Sequence, residues 1–381
     1  MNGTTLTRTK STSRRRDIVE SIFQEADITI DGQRPWDIQI RDDRFYRRVL
    51  ADGALGLGES YMEGWWEAAE LDQFFFHLLG VDLSRVPMPW TRKWTLVKER
   101  ILNRQGKSRA FEIGERHYDR GNDLFGVMLD DRMTYTCGYW KDANNLNEAQ
   151  EAKLDLVCRK LGLQPGDRLL DIGCGWGSLI RYAAEHYGIT AVGVTVSEEQ
   201  AALGRELCAG LPVKIRMQDY RDIDERFDHI ASLGMFEHVG PKNYQTYFEV
   251  ANRCLADDGL FLLHTIGNKM SDRSTDPWTE KYIFPNSVIP SVAQIGAATE
   301  RLFDVIDWHN FGPDYDRTLM AWFYNFDKGW ADLRPRYGDT FYRMWKFFLL
   351  SAAASFRVRK MQLWQIVLSK NGVPEGYVFV R

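Results

Sequence analysis

A chain of 381 residues with 44% apolar content can bury a large core, and 13 tryptophans with 21 phenylalanines load it with aromatic surface. A net charge of −4 gives no reason to expect a nucleic acid partner. The five cysteines (Cys137, Cys158, Cys174, Cys208 and Cys254) form no CxxC pair, which argues against a disulfide framework or structural zinc and for a reducing cytoplasm.

The start, "MNGTTLTRTKSTSRRR", is polar and basic with no apolar segment behind it. It is not a secretory signal, and residues 1–16 are expected to form a disordered tail. Residues 17–105 read as a smaller, mainly helical N-terminal domain. There "DIVESIFQEA" is an amphipathic helix and "ITIDGQRPWDIQI" two short strands round a turn. "DRFYRRVLADG" is a helix stopped by Gly53, and "LDQFFFHLLG" a further helix. Residues 92–109 hold seven Lys or Arg against one acid, beside Trp90 and Trp94. Such a stretch suits an anionic membrane surface, with an ordinary solvated face as the plain alternative. No stretch of about 18 uncharged apolar residues occurs, so no transmembrane helix is expected.

After a linker over 106–113, residues 114–381 form the second domain. "NEAQEAKLDLVCRKLG" reads as a helix, with Asn147 and Gln150 as its capping box. Then "DRLLDIG", "TAVGVTV", "VKIRMQD", "FDHIASLG" and "GLFLLHTIG" read as strands, separated mostly by helices such as "WGSLIRYAAEHYG", "SEEQAALGRELCAG" and "NYQTYFEVANRCL". This alternation predicts an α/β fold with a parallel, doubly wound sheet. "FDVIDWHNFG" and the pair "MQLWQIVLSK" and "EGYVFVR" read as an antiparallel closing edge; "MWKFFLLSAAASF" reads as a buried helix.

"LLDIGCGWG" runs from a hydrophobic strand into a glycine turn that opens a helix, so Gly173, Gly175 and Gly177 let backbone approach a ligand closely. A dinucleotide would call for an acid at the end of the second strand, where Thr195 and Ser197 stand instead. Asp171 suits the ammonium of an amino acid carried on adenosine, which points to S-adenosylmethionine. Gln200 serves a helix cap, the ribose, or both. Gln218, Asp219 and Tyr220 would flank adenine. In "MFEHVG", Glu237 lies in an apolar run, where a carboxylate is costly unless paired, protonated or in use.

The stretch "HYDRGNDLFGVMLDDRMTYTCGYW", followed by "LLDIGCGWG", "GMFEHVG" and "LLHTIG", resembles the cyclopropane-fatty-acyl-phospholipid synthases and the mycolic acid cyclopropane synthases. The resemblance extends to "LGLGESYMEGWW" in the N-terminal part. It implies a Rossmann-like class I methyltransferase domain using S-adenosylmethionine. It further implies ring closure across a cis double bond of a phospholipid acyl chain, at the inner face of the cell membrane, by a homodimer. A bound bicarbonate would be the base, held by Cys137, Glu237, His264, Ile266 and Tyr315. Cofactor contacts map onto Tyr135 and Thr136, the turn from Leu169 to Gly177, Thr195 to Gln200, and the segment around Tyr220. Tyr135, Tyr139 and Tyr315 are aromatic faces available to stabilise a cation. His238 is expected to be structural. Thr136 stands where many members have serine, and Ala352 where some carry cysteine, which removes a nucleophile from that helix. A sister activity on the same scaffold, giving methyl-branched or methylene lipids, shares the early steps.

Overall fold

The computed structural model describes residues 4–81, 121–272 and 274–381, with side chains from residue 15 onward. The basic run 92–109 and the linker 106–113 lie outside the described residues. The chain divides into two compact units. One comprises Met1–Leu102, Asp276–Pro285 and Lys328–Lys360; the other comprises Asn103–Thr275, Asn286–Asp327 and Met361–Arg381. The expected division into 17–105 and 114–381 is therefore corrected: two later segments belong with the first.

In the smaller unit a helix runs Thr4–Glu25, beginning inside the stretch expected to be a disordered tail. Helices Arg44–Asp52 and Ala54–Met62 break at Gly53 (φ 57°), as the sequence predicts. The expected hairpin over 28–40 does not form. Strand β1 (Gln39–Ile40) pairs antiparallel with β2 (Trp66–Glu67), and Ile30 makes a single bridge to Ile38. The Asp37 carboxylate is the reason: it accepts from the amides of Thr29 (2.8 Å) and Arg34 (2.9 Å), holding the turn without a ladder.

Two late segments complete this unit's core. The indole of Trp278, on helix Pro277–Tyr282, sits where a Cβ on Gly58 would lie 2.3 Å from its Cδ1. On helix Trp330–Arg357, Phe347 packs on Tyr61, Phe75 and Trp278 with ring centroids 5.6, 4.8 and 4.5 Å away. Arg343 of the same helix donates to the Tyr61 and Trp66 carbonyls and pairs with Glu67.

The larger unit is built on a seven-stranded sheet. Its strands are β3 (Arg168–Ile172), β4 (Thr190–Thr195), β5 (Val213–Met217), β6 (Phe227–Leu233), β7 (Leu255–Asn268), β8 (Asp304–Asn310) and β9 (Met361–Ser369). Their order is β5-β4-β3-β6-β7-β9-β8; the first five are parallel, and β9 runs antiparallel to both neighbours. Apolar side chains of β3 alternate between two cores, Leu169 in one and Leu170 with Ile172 in the other. Burial on both faces explains why these strands read as continuous apolar runs. The expected partner of β9 at 375–381 is corrected: that segment is not a strand, and β9 is covered by β7 and β8 instead. The segment's last residue, Arg381, grips Asp307 of β8 through two 2.6 Å hydrogen bonds. Among the described residues no helix is long and apolar enough to cross a membrane.

Candidate active site

Strand order reverses beside β3, so the carboxyl ends of β3, β4 and β6 open a crevice, the usual ligand position in such sheets. The cavity there is lined by Asp171 of β3 with Gly173 and Gly175 after it, by Thr195 at the end of β4 with Gln200 after it, by Gln218, Asp219 and Tyr220 after β5, and by Tyr135 and Thr136. Ten of the twelve sequence-predicted cofactor residues thus share one wall. Leu169 and Gly177 do not. Leu169 is core, and a Cβ on Gly177 would press on Ile215 Cδ1 (2.9 Å) and Cys208 Sγ (3.0 Å), so that glycine serves helix packing. Gly175 differs: at φ 55°, its Cβ would meet nothing nearer than Gln200 Nε2 at 4.0 Å. The space above that backbone belongs to the cavity.

Asp171 is buried, its Oδ1 has no partner among the described residues, and burial pushes its carboxyl up to about 7. A ligand ammonium would satisfy that atom and favour its charged form. Lys153 opposes the shift at Asp171. It too is fully buried, burial bringing it down to about 8 while Asp130, Cys137 and Asp171 pull the other way. Its Nζ donates to Thr136 Oγ1 at 2.7 Å. Three residues earlier on helix Leu146–Leu161, Gln150 Nε2 donates to the Thr136 carbonyl at 2.7 Å. The helix is capped by Asn145, which accepts from the Glu148 amide, so the expected Asn147–Gln150 capping box is corrected. Gln150 clamps the 134–137 segment instead.

Ser197 caps helix Glu198–Leu207 by accepting from the Gln200 amide (3.2 Å), while the Gln200 side chain accepts from Thr195 Oγ1 (2.9 Å). Its Nε2 remains available to a ligand hydroxyl in the cavity. Asp219 lines the cavity, but its carboxylate is committed to Arg221 at 2.6 and 2.8 Å. His238 also lines the wall, partly buried and brought down to about 4 by desolvation, so it is neutral.

The five residues expected around an anion fall into two contact groups outside that wall. In the first, the Ile266 amide of β7 donates to Glu237 Oε1 at 2.7 Å. Ile266 therefore orients Glu237 through its backbone, and among the described residues Glu237 Oε2 is buried without a hydrogen-bond partner. Burial pushes Glu237 up to about 7 against that amide's pull. His264, two residues back on β7, is buried and held neutral by burial first and by Lys153, Lys160 and His309 next. Its Nδ1 meets Gln365 Nε2 at 3.3 Å, and its Nε2 is unpartnered among the described residues. In the second group, the Cys137 thiol, raised well above its ordinary value by burial, donates to the Gly138 carbonyl and lies 3.8 Å from Thr318 Oγ1. Tyr315 is one helical turn from Thr318, on helix Pro313–Lys328. Its ring is 6.0 Å from Trp322, which is 5.1 Å from Tyr135. Tyr139 packs on His309 and Phe311 (5.8 and 5.4 Å) rather than lining the cavity.

Sequence reasoning missed Lys153, Gln365 and the clamp made by Gln150. A signal existed: Gln150 and Lys153 sit three apart on the apolar face with Ala149, Leu154 and Val157, and Gln365 interrupts the apolar run of β9.

Comparison with known proteins gives similarities of three kinds: to a family, to a protein sequence and to solved structures. Residues 105–366 match the family described as mycolic acid cyclopropane synthetase. The chain is 51% identical over 360 residues to the cyclopropane-fatty-acyl-phospholipid synthase of Escherichia coli strain K12, covering 94% of each protein. Among solved structures, the cyclopropane synthase MmaA2 from Mycobacterium tuberculosis superposes with a TM-score of 0.65 at 31% identity, covering 68% of this chain and 98% of that one. The mycolic acid cyclopropane synthase CmaA1, complexed with SAH and CTAB, gives 0.64 at 32% identity over the same shares.

Proposed function

This chain belongs to the mycolic acid cyclopropane synthetase family, and from that premise we propose that it is a cyclopropane-fatty-acyl-phospholipid synthase using S-adenosylmethionine. The reaction adds a methylene across the cis double bond of an unsaturated phospholipid acyl chain. One observation carries this reading beyond a generic methyltransferase. Beyond the cofactor wall, a buried carboxylate and a buried neutral imidazole each keep one polar atom without a partner among the described residues.

The cofactor supplies an electrophilic methyl group, and a bound bicarbonate a small base with its counter-charge. The residues present fit both. Asp171 holds the ammonium, Gln200 the ribose, and the Gly175 backbone lets the ligand lie close. Glu237, its Oε1 fixed by Ile266, offers Oε2 to the anion's hydroxyl, and His264 offers Nε2 to its oxygens. An alkene is a weak nucleophile, so holding it against the methyl donor contributes several kcal/mol. Aromatic faces at Tyr135 and Tyr315 stabilise positive charge on the acyl chain by about 0.5–2 kcal/mol each. Burial excludes water, which would otherwise capture the cation as an alcohol.

Each acyl CH₂ drawn into water costs about 0.8 kcal/mol, so whole-lipid extraction is prohibitive. The enzyme works docked peripherally on the cytoplasmic face of the membrane, as a homodimer. Incubation with S-adenosylmethionine and vesicles of unsaturated phospholipid, followed by fatty-acid analysis, tests the proposal. Cyclopropane chains are expected. Saturated methyl-branched or methylene chains would reassign the activity, and no transfer at all would overturn it.

A further inference from the structure

Gln365 is a polar residue within the apolar run of β9. It is fully buried in mid-strand β9 among Leu363, Trp364, Ile366 and Val367, where a polar side chain is costly unless used. Register places it opposite His264 of β7 on one side and His309 of β8 on the other. Its Nε2 lies 3.3 Å from His264 Nδ1. With the amide in this orientation, its Oε1 unpartnered among the described residues, the N–H donates and Nδ1 accepts, so a neutral imidazole carries its hydrogen on Nε2. Among the described residues, Nε2 is the atom left buried and unpartnered. His309 repeats the arrangement. Lys160 Nζ, a donor only, lies 3.1 Å from its Nδ1 and 3.5 Å from Asp307, so this row of β7, β9 and β8 is held from its far end.

We propose that Gln365 is a positioning residue for the reaction: it fixes the His264 tautomer so that Nε2–H remains a hydrogen-bond donor for the small anion. This rests on the bicarbonate reading given under the proposed function. The amide acts through His264 and touches neither cofactor nor lipid. Without it the imidazole exchanges between tautomers, and in one of them Nε2 presents a lone pair to an anion.

The test is ¹⁵N spectroscopy of the histidine-labelled full chain, with His264→Asn to assign the signal. The wild type should show protonated Nε2 and bare Nδ1 at His264. Gln365→Met should mix the tautomers. Gln365→Glu, whose carboxylate accepts where the amide donates, should move the hydrogen to Nδ1. Both variants should raise the KM for bicarbonate, by about 10- to 100-fold for an orienting partner, with S-adenosylmethionine affinity unchanged. A wild-type Nδ1–H tautomer overturns the proposal, whether or not either variant folds. So does an unchanged bicarbonate KM in a variant whose tautomer has shifted. A wild-type rate indifferent to bicarbonate, with the Nε2–H tautomer present, would instead sink the bicarbonate reading and with it the anion-facing role.

Discussion

Replacing Glu237 by glutamine separates its role in the reaction from its role in the fold. The carboxyl is buried and lifted from an ordinary 4.5 to about 7. Holding it charged inside the protein at high pH therefore costs about 3 kcal/mol. The sign follows from proton counting. Below 4.5 folded and unfolded chains both carry the proton, and this group leaves stability unchanged with pH. Between 4.5 and about 7 the unfolded chain has released it while the folded chain keeps it, so stability falls as pH rises; above about 7 the loss is complete. Glutamine does not titrate, and its oxygen can still accept from Ile266. Measured by thermal or denaturant unfolding, the variant should gain about 3 kcal/mol on the wild type between acid and mildly alkaline pH. Other titrating groups cancel in the difference. Activity should fall about 10²- to 10⁴-fold, the usual contribution of general-base chemistry, and added bicarbonate should partly restore it. Cofactor affinity should hold, since Glu237 does not line the cofactor wall. Parallel stability–pH curves for the two proteins, or wild-type activity in the variant, would refute this reasoning.

Gly175→Val fills the space above the glycine turn, so calorimetry should find no S-adenosylmethionine binding by a folded variant. Lys153→Met removes the cation that holds the Asp171 carboxyl down, leaving it protonated at neutral pH. Cofactor affinity should drop about 10-fold, equivalent to about 1.4 kcal/mol, and recover as pH rises; affinity independent of pH would count against the Lys153–Asp171 coupling. Gly58→Ala drives a methyl into the Trp278 indole and should cost about 1–3 kcal/mol by overpacking, read as a lower melting temperature.

The cofactor wall was legible because its signals are local. Strand, glycine turn and helix follow one another in "LLDIGCGWG", and Asp171 precedes the turn by two positions. Glu237 stood out because a carboxylate in an apolar run has few bland explanations. Features set by distant partners were less legible. Gln150 has the spacing of a cap, and only the position of the 134–137 segment shows that its side chain is used elsewhere. The turn at 28–40 looked like a hairpin because Asp37's hold on two backbone amides leaves no pattern of alternation. Gln365 becomes meaningful only when β9 is found between β7 and β8.

The interleaving of the two units has a consequence for synthesis. The first helices of the smaller unit leave the ribosome early, but Trp278 and Phe347, which fill their core, are encoded about 220 and 270 residues downstream of Gly58 and Phe75 respectively. At about 5–20 residues per second, that leaves the nascent N-terminal segment without its packing partners for on the order of tens of seconds. During that interval Tyr61, Trp66, Phe74 and Phe75, all buried in the finished unit, lack the late side chains that help to cover them. A stop codon anywhere before the helix Trp330–Arg357 therefore leaves the first unit incomplete, although its first eighty residues have long since been made.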